Sequence, residues 1–252
     1  IQIIEQTRHG KKLKRGVLSG NTFKLRLTDM LGSEESWLSS LHKIQQHGVP
    51  NYFGEQRFGH NGNNLKKVDF WFNGGKAPRK RNQKSMYLSA ARSWLFNLIL
   101  SERITQGNWD TALTGDSMLL VGTKSSLFSV STIDHTLEQR LLTMDVHPTG
   151  SMWGRGQALN SKQSYELEQA VLACWDDWKL GLEKAGLSQE RRALRLFPNN
   201  LSWQFTDDKQ LDLTFFLPAG SYATAVLREL GIIIDNQHKQ RPLPVQTSLT
   251  ID

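Results

Sequence analysis

Over residues 22–28 the apolar side chains Phe23, Leu25 and Leu27 alternate with Thr22, Lys24, Arg26 and Thr28. A period of two predicts a strand with one buried face. The spacing then changes. Trp37, Leu38, Leu41 and Ile44 fall on one face of a helix over residues 34–46, and Gly48 and Pro50 end it. A strong helix is predicted over residues 85–105, where Leu88, Ala91, Leu95, Leu98 and Ile99 recur at helical spacing. Another is predicted over residues 164–185, carrying Leu167, Val171, Leu172, Trp175 and Leu182. Residues 107–156 offer only short apolar pieces, 118–121 and 127–128, read as a small sheet. Strands return at 201–205 and 211–217, and Pro218-Ala219-Gly220 makes a sharp turn. Ser221 is placed to cap a helix running to Leu230, and the tail after Ile234 reads as a frayed extension. There is no internal repeat. Strands near both ends with a long mixed middle suit a discontinuous domain carrying an insertion.

Two segments fit neither period. Residues 49–59 (Val-Pro-Asn-Tyr-Phe-Gly-Glu-Gln-Arg-Phe-Gly) hold three aromatics, two glycines, a proline, two amides and a guanidinium. Such a segment is either a tight turn with aromatics tucked under it or a loop presenting rings and a cation to a polyanion carrying bases. A second turn, residues 61–64 (Asn-Gly-Asn-Asn), follows it. The run Arg79-Lys80-Arg81-Asn82-Gln83-Lys84 sits at the start of the 85–105 helix, where cations oppose the macrodipole. Stability does not account for that placement, which leaves a phosphate contact or a solvated linker.

Charge changes the picture. The net charge is +7, but residues 1–100 hold 17 Lys/Arg against 6 Asp/Glu, and the remainder holds 14 against 18. A field of +11 on the first part, with a further basic cluster at Arg8, His9, Lys11, Lys12, Lys14 and Arg15, favours nucleic acid over an anionic membrane surface. At 252 residues the chain can bury a sizeable core. No apolar run reaches the length of a membrane span. The start, Ile1-Gln2-Ile3-Ile4-Glu5, is no signal peptide and has no initiator Met, so a processed or incomplete N-terminus is expected. The single cysteine, Cys174, excludes an internal disulfide, suits a reducing cytoplasm, and reads as a small core hydrophobe. The seven histidines show no metal-ligand spacing, and no phosphate-binding Gly-x-x-x-x-Gly-Lys-Ser/Thr occurs.

Four stretches together resemble the TruD-type tRNA pseudouridine synthases. They are residues 9–23 (His-Gly-Lys-Lys-Leu-Lys-Arg-Gly-Val-Leu-Ser-Gly-Asn-Thr-Phe), the 49–59 loop, residues 89–97 (Ser-Ala-Ala-Arg-Ser-Trp-Leu-Phe-Asn), and residues 217–224 (Leu-Pro-Ala-Gly-Ser-Tyr-Ala-Thr) continuing through Arg228-Glu229-Leu230. They follow the family's order. The resemblance implies an α+β (mixed α/β) fold: a pseudouridine synthase catalytic domain with a largely antiparallel sheet, interrupted by an inserted α/β domain called the TRUD domain. Residues 1–47 and 197–252 would be catalytic domain, the former lacking its N-terminal part, and residues 48–196 the insertion. The implied activity is isomerisation of uridine 13 of certain tRNAs to pseudouridine, with no cofactor and no metal. An aspartate attacks the target nucleotide, and the detached uracil turns over and is rejoined through carbon. A cytoplasmic monomer acting on tRNA is expected.

The same resemblance implies site residues. Asn21 matches the substrate-binding asparagine of Gly-Asn-x-Phe, although a turn asparagine would look the same. Phe23 matches an aromatic stacking on the target base, although its strand parity with Leu25 and Leu27 also suits a core position. Tyr222 matches another aromatic at the substrate pocket, or packs under the sheet. Tyr52, Phe53, Arg57 and Phe58 are expected to shape the hinge between domains, with Arg57 holding a backbone phosphate. Arg79, Lys80 and Arg81 are expected to grip tRNA while the target base is extruded.

One departure matters. The family's nucleophilic aspartate lies in a Gly-x-Lys-Asp motif, and none occurs here: Gly10-Lys11 and Gly75-Lys76 are followed by Lys12 and Ala77. The nucleophile is therefore expected upstream of Ile1, and no aspartate of this chain is assigned a catalytic role. The alternative is a catalytically inactive tRNA- or RNA-binding module.

Overall fold

The computed structural model of the chain describes residues 6, 8, 10, 18–123, 126–206 and 209–232. The basic cluster at the start, apart from Arg8, and the tail after Ile234 lie outside these residues. Strand β1 (Gly20–Leu27) carries the expected alternation. Helix α1 (Glu34–His47) follows, its first turn capped by Ser33, whose Oγ accepts the Ser36 N–H at 3.3 Å. Gly48 ends it at φ 73°, and a side chain there would begin 2.7 Å from the Leu196 carbonyl oxygen. Next come β2 (Val49–Pro50), a 3₁₀ turn (Glu55–Phe58), α2 (Asn63–Phe72) and the long α3 (Arg81–Thr105). The middle holds β3 (Ser117–Leu120), β4 (Leu127–Ser129), α4 (His135–Leu142), β5 (Val146–Met152), α5 (Lys162–Val171), α6 (Asp176–Lys184) and β6 (Glu190–Ala193). Then β7 (Arg195–Leu196), β8 (Asn199–Phe205), β9 (Leu211–Pro218) and α7 (Ala223–Arg228) complete it.

The early and late strands share one antiparallel sheet, in the order β1-β9-β8. Phe23 stands opposite Phe215, Leu25 opposite Leu213 and Leu27 opposite Leu211, so one face is apolar throughout. Leu41 and Ile44 of α1, with Ala225 and Val226 of α7, pack on that face. Leu211, Leu213, Phe215 and Leu217 are all but inaccessible, and each such burial contributes roughly 1.5–3 kcal/mol.

Between α1 and β8 the chain builds a second body around three further clusters, although Val49 and Leu196 belong to the sheet's cluster and Tyr222 packs on one of the three. A four-stranded antiparallel sheet, β4-β3-β5-β6, packs against α3. The helical side is rich in tryptophan: Trp175 meets Trp178 edge-on at 4.8 Å and Trp94 at 6.4 Å. Arg103 and Asp116 make a 3.1 Å ion pair with both side chains buried, and Asp116 also accepts the Leu113 N–H at 2.7 Å. Removing one member of such a pair costs about 3–5 kcal/mol, because it strands the other. The entry and exit of this body run side by side: Val49 pairs with Leu196 and Pro50 with Arg195.

Three expectations are corrected. The helix predicted over residues 164–185 is two helices, α5 and α6, broken at Leu172–Trp175. The break lets fully buried Leu172 face the helical core while Trp175 and Trp178 turn onto each other. It also turns Cys174 outward, so the cysteine is exposed and not a core residue. Ser221 does not cap α7: its N–H bonds back to Pro218 in a turn, and Tyr222 occupies the cap position with no side-chain cap bond. The turn signals at residues 61–64 lead straight into α2, and α4 rises from the mixed middle, its first turn capped by Asp134.

Candidate nucleic-acid interface at the seam

The 49–59 loop crosses from the sheet to the second body and is held there by α3. Asn97 accepts the Phe53 N–H through Oδ1 at 3.0 Å and donates to the Phe53 carbonyl through Nδ2 at 3.1 Å. Arg92, from the same stretch of α3, donates to the carbonyls of Met152, Trp153 and Ser188 at 2.6–2.9 Å. Phe53 and Phe58 are buried, at 6% and 8% exposure, so these two rings are tucked under the loop and are not presented to a base. Gly54 lets the loop pass close to α7: a side chain there would begin 2.8 Å from Thr224 Oγ1 and 3.0 Å from the Tyr222 ring.

Arg57 and Tyr222 meet at this seam. Arg57 Nε donates to the Tyr222 hydroxyl at 2.9 Å, and its Nη1 donates to Ser89 Oγ on α3 at 2.9 Å. The Tyr222 ring packs against Phe53 at 5.9 Å, the two rings inclined at 66°. A second guanidinium, Arg192 of β6, lies over the Phe53 ring at 4.0 Å and donates to Asn51 Oδ1 at 2.7 Å and to the Gly220 carbonyl at 3.2 Å. Burial, and secondarily the nearby Arg57 charge, pull Arg192 down to about 10, against the opposing influence of Tyr222.

Asn21 lies at the same end of the sheet as Tyr222. It is exposed, opposite Leu217, and the Ala219 N–H bonds back to the Ser19 carbonyl at 2.9 Å. Phe23, two residues on and on the same face, is half-buried and stacked on Phe215 at 5.6 Å. Arg79, Lys80 and Arg81 are exposed at the start of α3 and make no side-chain hydrogen bond, ion pair or ring contact with described residues. They stand about two turns along α3 from Ser89, and no contact joins them to Tyr222 among the described residues. The structure thus brings Arg57 and Tyr222 together, places Asn21 and Phe23 on the neighbouring strand, and leaves the basic run apart. Sequence reasoning missed Arg192, Asn51 and Gly220. Arg192 sits in an ordinary charged strand edge, and its partners are 28 and 141 residues away.

No helix among the described residues is long and apolar enough to cross a membrane. An antiparallel sheet roofed by two helices, with a helix-rich body between its strands and an aromatic, cationic seam, defines a mixed α/β protein. A family model described as tRNA pseudouridine synthase D (TruD) matches residues 1–72 and 71–230. The chain belongs to that family. It is 47% identical to the tRNA pseudouridine synthase D of Nitrosococcus oceani over 91% of its own length and 64% of the relative's. The corresponding protein of Hydrogenovibrio crunogenus is 46% identical over 91% and 66%, and that of Aeromonas hydrophila 50% over 91% and 64%. The chain therefore spans just under two thirds of the length of these relatives. A solved structure described as a putative tRNA pseudouridine synthase D from Methanosarcina mazei superposes with a TM-score of 0.59 at 21% identity, covering 85% of this chain and 69% of that one. That likeness establishes the fold.

Proposed function

We propose that the protein acts as a tRNA pseudouridine synthase, isomerising uridine 13 of tRNA to pseudouridine, with this chain supplying most of the substrate-binding surface. Residues 1–47 and 197–252 serve as catalytic domain and 48–196 as an inserted domain. The antiparallel pairing of Val49 with Leu196 supports that division, because it brings the two ends of the insertion together. The observation that carries the reading is the placement of Asn21 and Tyr222 at one end of the sheet: an exposed amide and a half-buried phenol beside the same turn. An amide can read the Watson–Crick edge of an extruded uracil, and a ring can stack on its face. Phe23 would lend a second ring. The nucleophile would come from a Gly-x-Lys-Asp segment upstream of Ile1. Arg57, Arg79, Lys80 and Arg81 would hold the tRNA backbone.

The test is pseudouridine mapping on a tRNA transcript treated with the full-length protein. New pseudouridine at position 13, lost in the Asn21→Ala variant, is the expected result. Modification at another position, or none, would refute the assignment.

A further inference from the structure

Arg57 and Arg192 flank one aromatic ring, and neither makes an ion pair with a described residue. Their hydrogen bonds go to Tyr222, Ser89, Asn51 and the Gly220 carbonyl, all neutral. Two like charges in a half-buried seam repel, and the Phe53 face offsets only part of that cost, at about 0.5–2 kcal/mol for each cation–π contact. Each guanidinium also keeps an unused edge. Arg57 Nη2 and Arg192 Nη1 make no hydrogen bond with described residues, yet neither is enclosed. The turn passes close to the Nη1 edge, which lies 4.0 Å from where a side chain on Gly220 would begin. Arg192 Nε is the opposite case, enclosed and without a hydrogen-bond partner among the described residues. A guanidinium locked in orientation on one side and open on the other is prepared for a planar pair of oxygens.

We propose that Arg192, together with Arg57, forms an oxyanion site at the β9–α7 turn that holds one phosphodiester of the RNA strand next to the nucleotide bound at Tyr222. The inference rests on the synthase reading above and adds Arg192 as a binding residue. The site joins the two bodies: Arg57 comes from the 49–59 loop, Arg192 from β6, and the turn from the sheet. An RNA strand seated there would bridge them.

The experiment measures tRNA binding by the full-length protein from low to moderate salt, for wild type, Arg192→Gln and Arg192→Lys, with thermal melting as the folding control. Arg192→Gln is expected to weaken binding about tenfold and to flatten the log–log salt slope by roughly 0.7–0.9, the share of one phosphate contact. Arg192→Lys keeps the charge but not the fork, so the slope stays and affinity falls. It serves where glutamine costs the fold. A single uncharged methylphosphonate, moved through the linkages around the target, locates the contact. In wild type one linkage is sensitive; in Arg192→Gln that linkage becomes no worse than its neighbours. A wild-type slope retained in Arg192→Gln, or wild-type affinity retained in Arg192→Lys, overturns the proposal. Absence of salt-sensitive tRNA binding in wild type would instead sink the synthase reading itself.

Discussion

The Arg57 guanidinium donates to the Tyr222 hydroxyl at 2.9 Å, across 165 residues of sequence. The bond ties a loop of the second body to the residue at the start of α7. Tyr222 is therefore positioned from outside its own sheet. The ring and the hydroxyl can be separated by mutation.

Tyr222→Phe keeps the ring and removes the acceptor. It is expected to lower stability by about 1–2 kcal/mol, since the hydrogen bond to a charged donor is removed from a half-buried seam. If the ring stacks on the target base, turnover changes little in this variant. Tyr222→Ala would forfeit a further stacking contribution of roughly 1–3 kcal/mol, seen as a tenfold to hundredfold fall in single-turnover rate. Denaturant melts and single-turnover kinetics on the full-length protein separate the two effects. Equal rates for Phe and Ala would remove Tyr222 from the pocket.

Asn21 and Phe23 share a strand face but differ in burial, so they should respond differently. Asn21 is exposed, and Asn21→Ala should leave stability within about 0.5 kcal/mol while lowering turnover tenfold or more. Phe23 is stacked on Phe215, and Phe23→Ala should cost about 1–3 kcal/mol of stability whatever its part in binding. Phe23→Leu, which retains much of the packing, isolates the ring: a fall in rate there without a matching fall in stability marks a base contact. Normal kinetics in Asn21→Ala would exclude its substrate role.

The basic run at α3 gives opposite signs for two measurements. Lys80 is the cap residue and Arg81 the first helical residue, so three cations crowd the positive end of the dipole. Replacing Arg79, Lys80 and Arg81 with glutamine should raise stability by about 0.3–1 kcal/mol per charge at low ionic strength. The same triple variant should bind tRNA more weakly, with a salt slope flatter by roughly 0.7–0.9 for each phosphate it no longer neutralises. Weaker binding in a more stable protein would assign the run to RNA. Unchanged binding would leave it a solvated face.

What is legible in the sequence follows from the range of the forces involved. The alternation of Phe23, Leu25 and Leu27 is a local signal, and β1 forms as predicted. The 34–46 helix is readable for the same reason, ending at Gly48. The break between α5 and α6 is not readable, because Val171 to Trp175 contains no glycine or proline. It goes with packing against another element, Trp175 meeting Trp94 of α3. In α2, Leu65, Val68 and Phe72 have helical spacing, but the asparagine- and glycine-rich turn ahead of them masks it. Resemblance singles out Arg57 and Tyr222 separately; only the fold shows that one holds the other. Arg192 carries no local signal at all, since its meaning comes from Asn51, Phe53 and Gly220.

His147 makes stability depend on pH. It lies on β5, buried, with Nδ1 accepting from Arg195 Nε at 3.0 Å. Burial, and then the Arg195 charge, bring its pKa from 6.5 down to about 4. The unfolded chain therefore binds a proton on this ring at a higher pH than the folded one. Its contribution to stability is fully present above pH 6.5 and is lost as pH falls toward 4. The full span corresponds to about 3 kcal/mol. His147→Asn keeps an acceptor near the Nδ1 position and removes the titration. Urea melts at intervals between pH 7 and pH 4 should show wild type losing stability faster than His147→Asn, with the two curves parallel above pH 6.5. Parallel curves throughout would mean that the ring titrates alike in the folded and unfolded chain, and that the Arg195 contact does not hold it neutral.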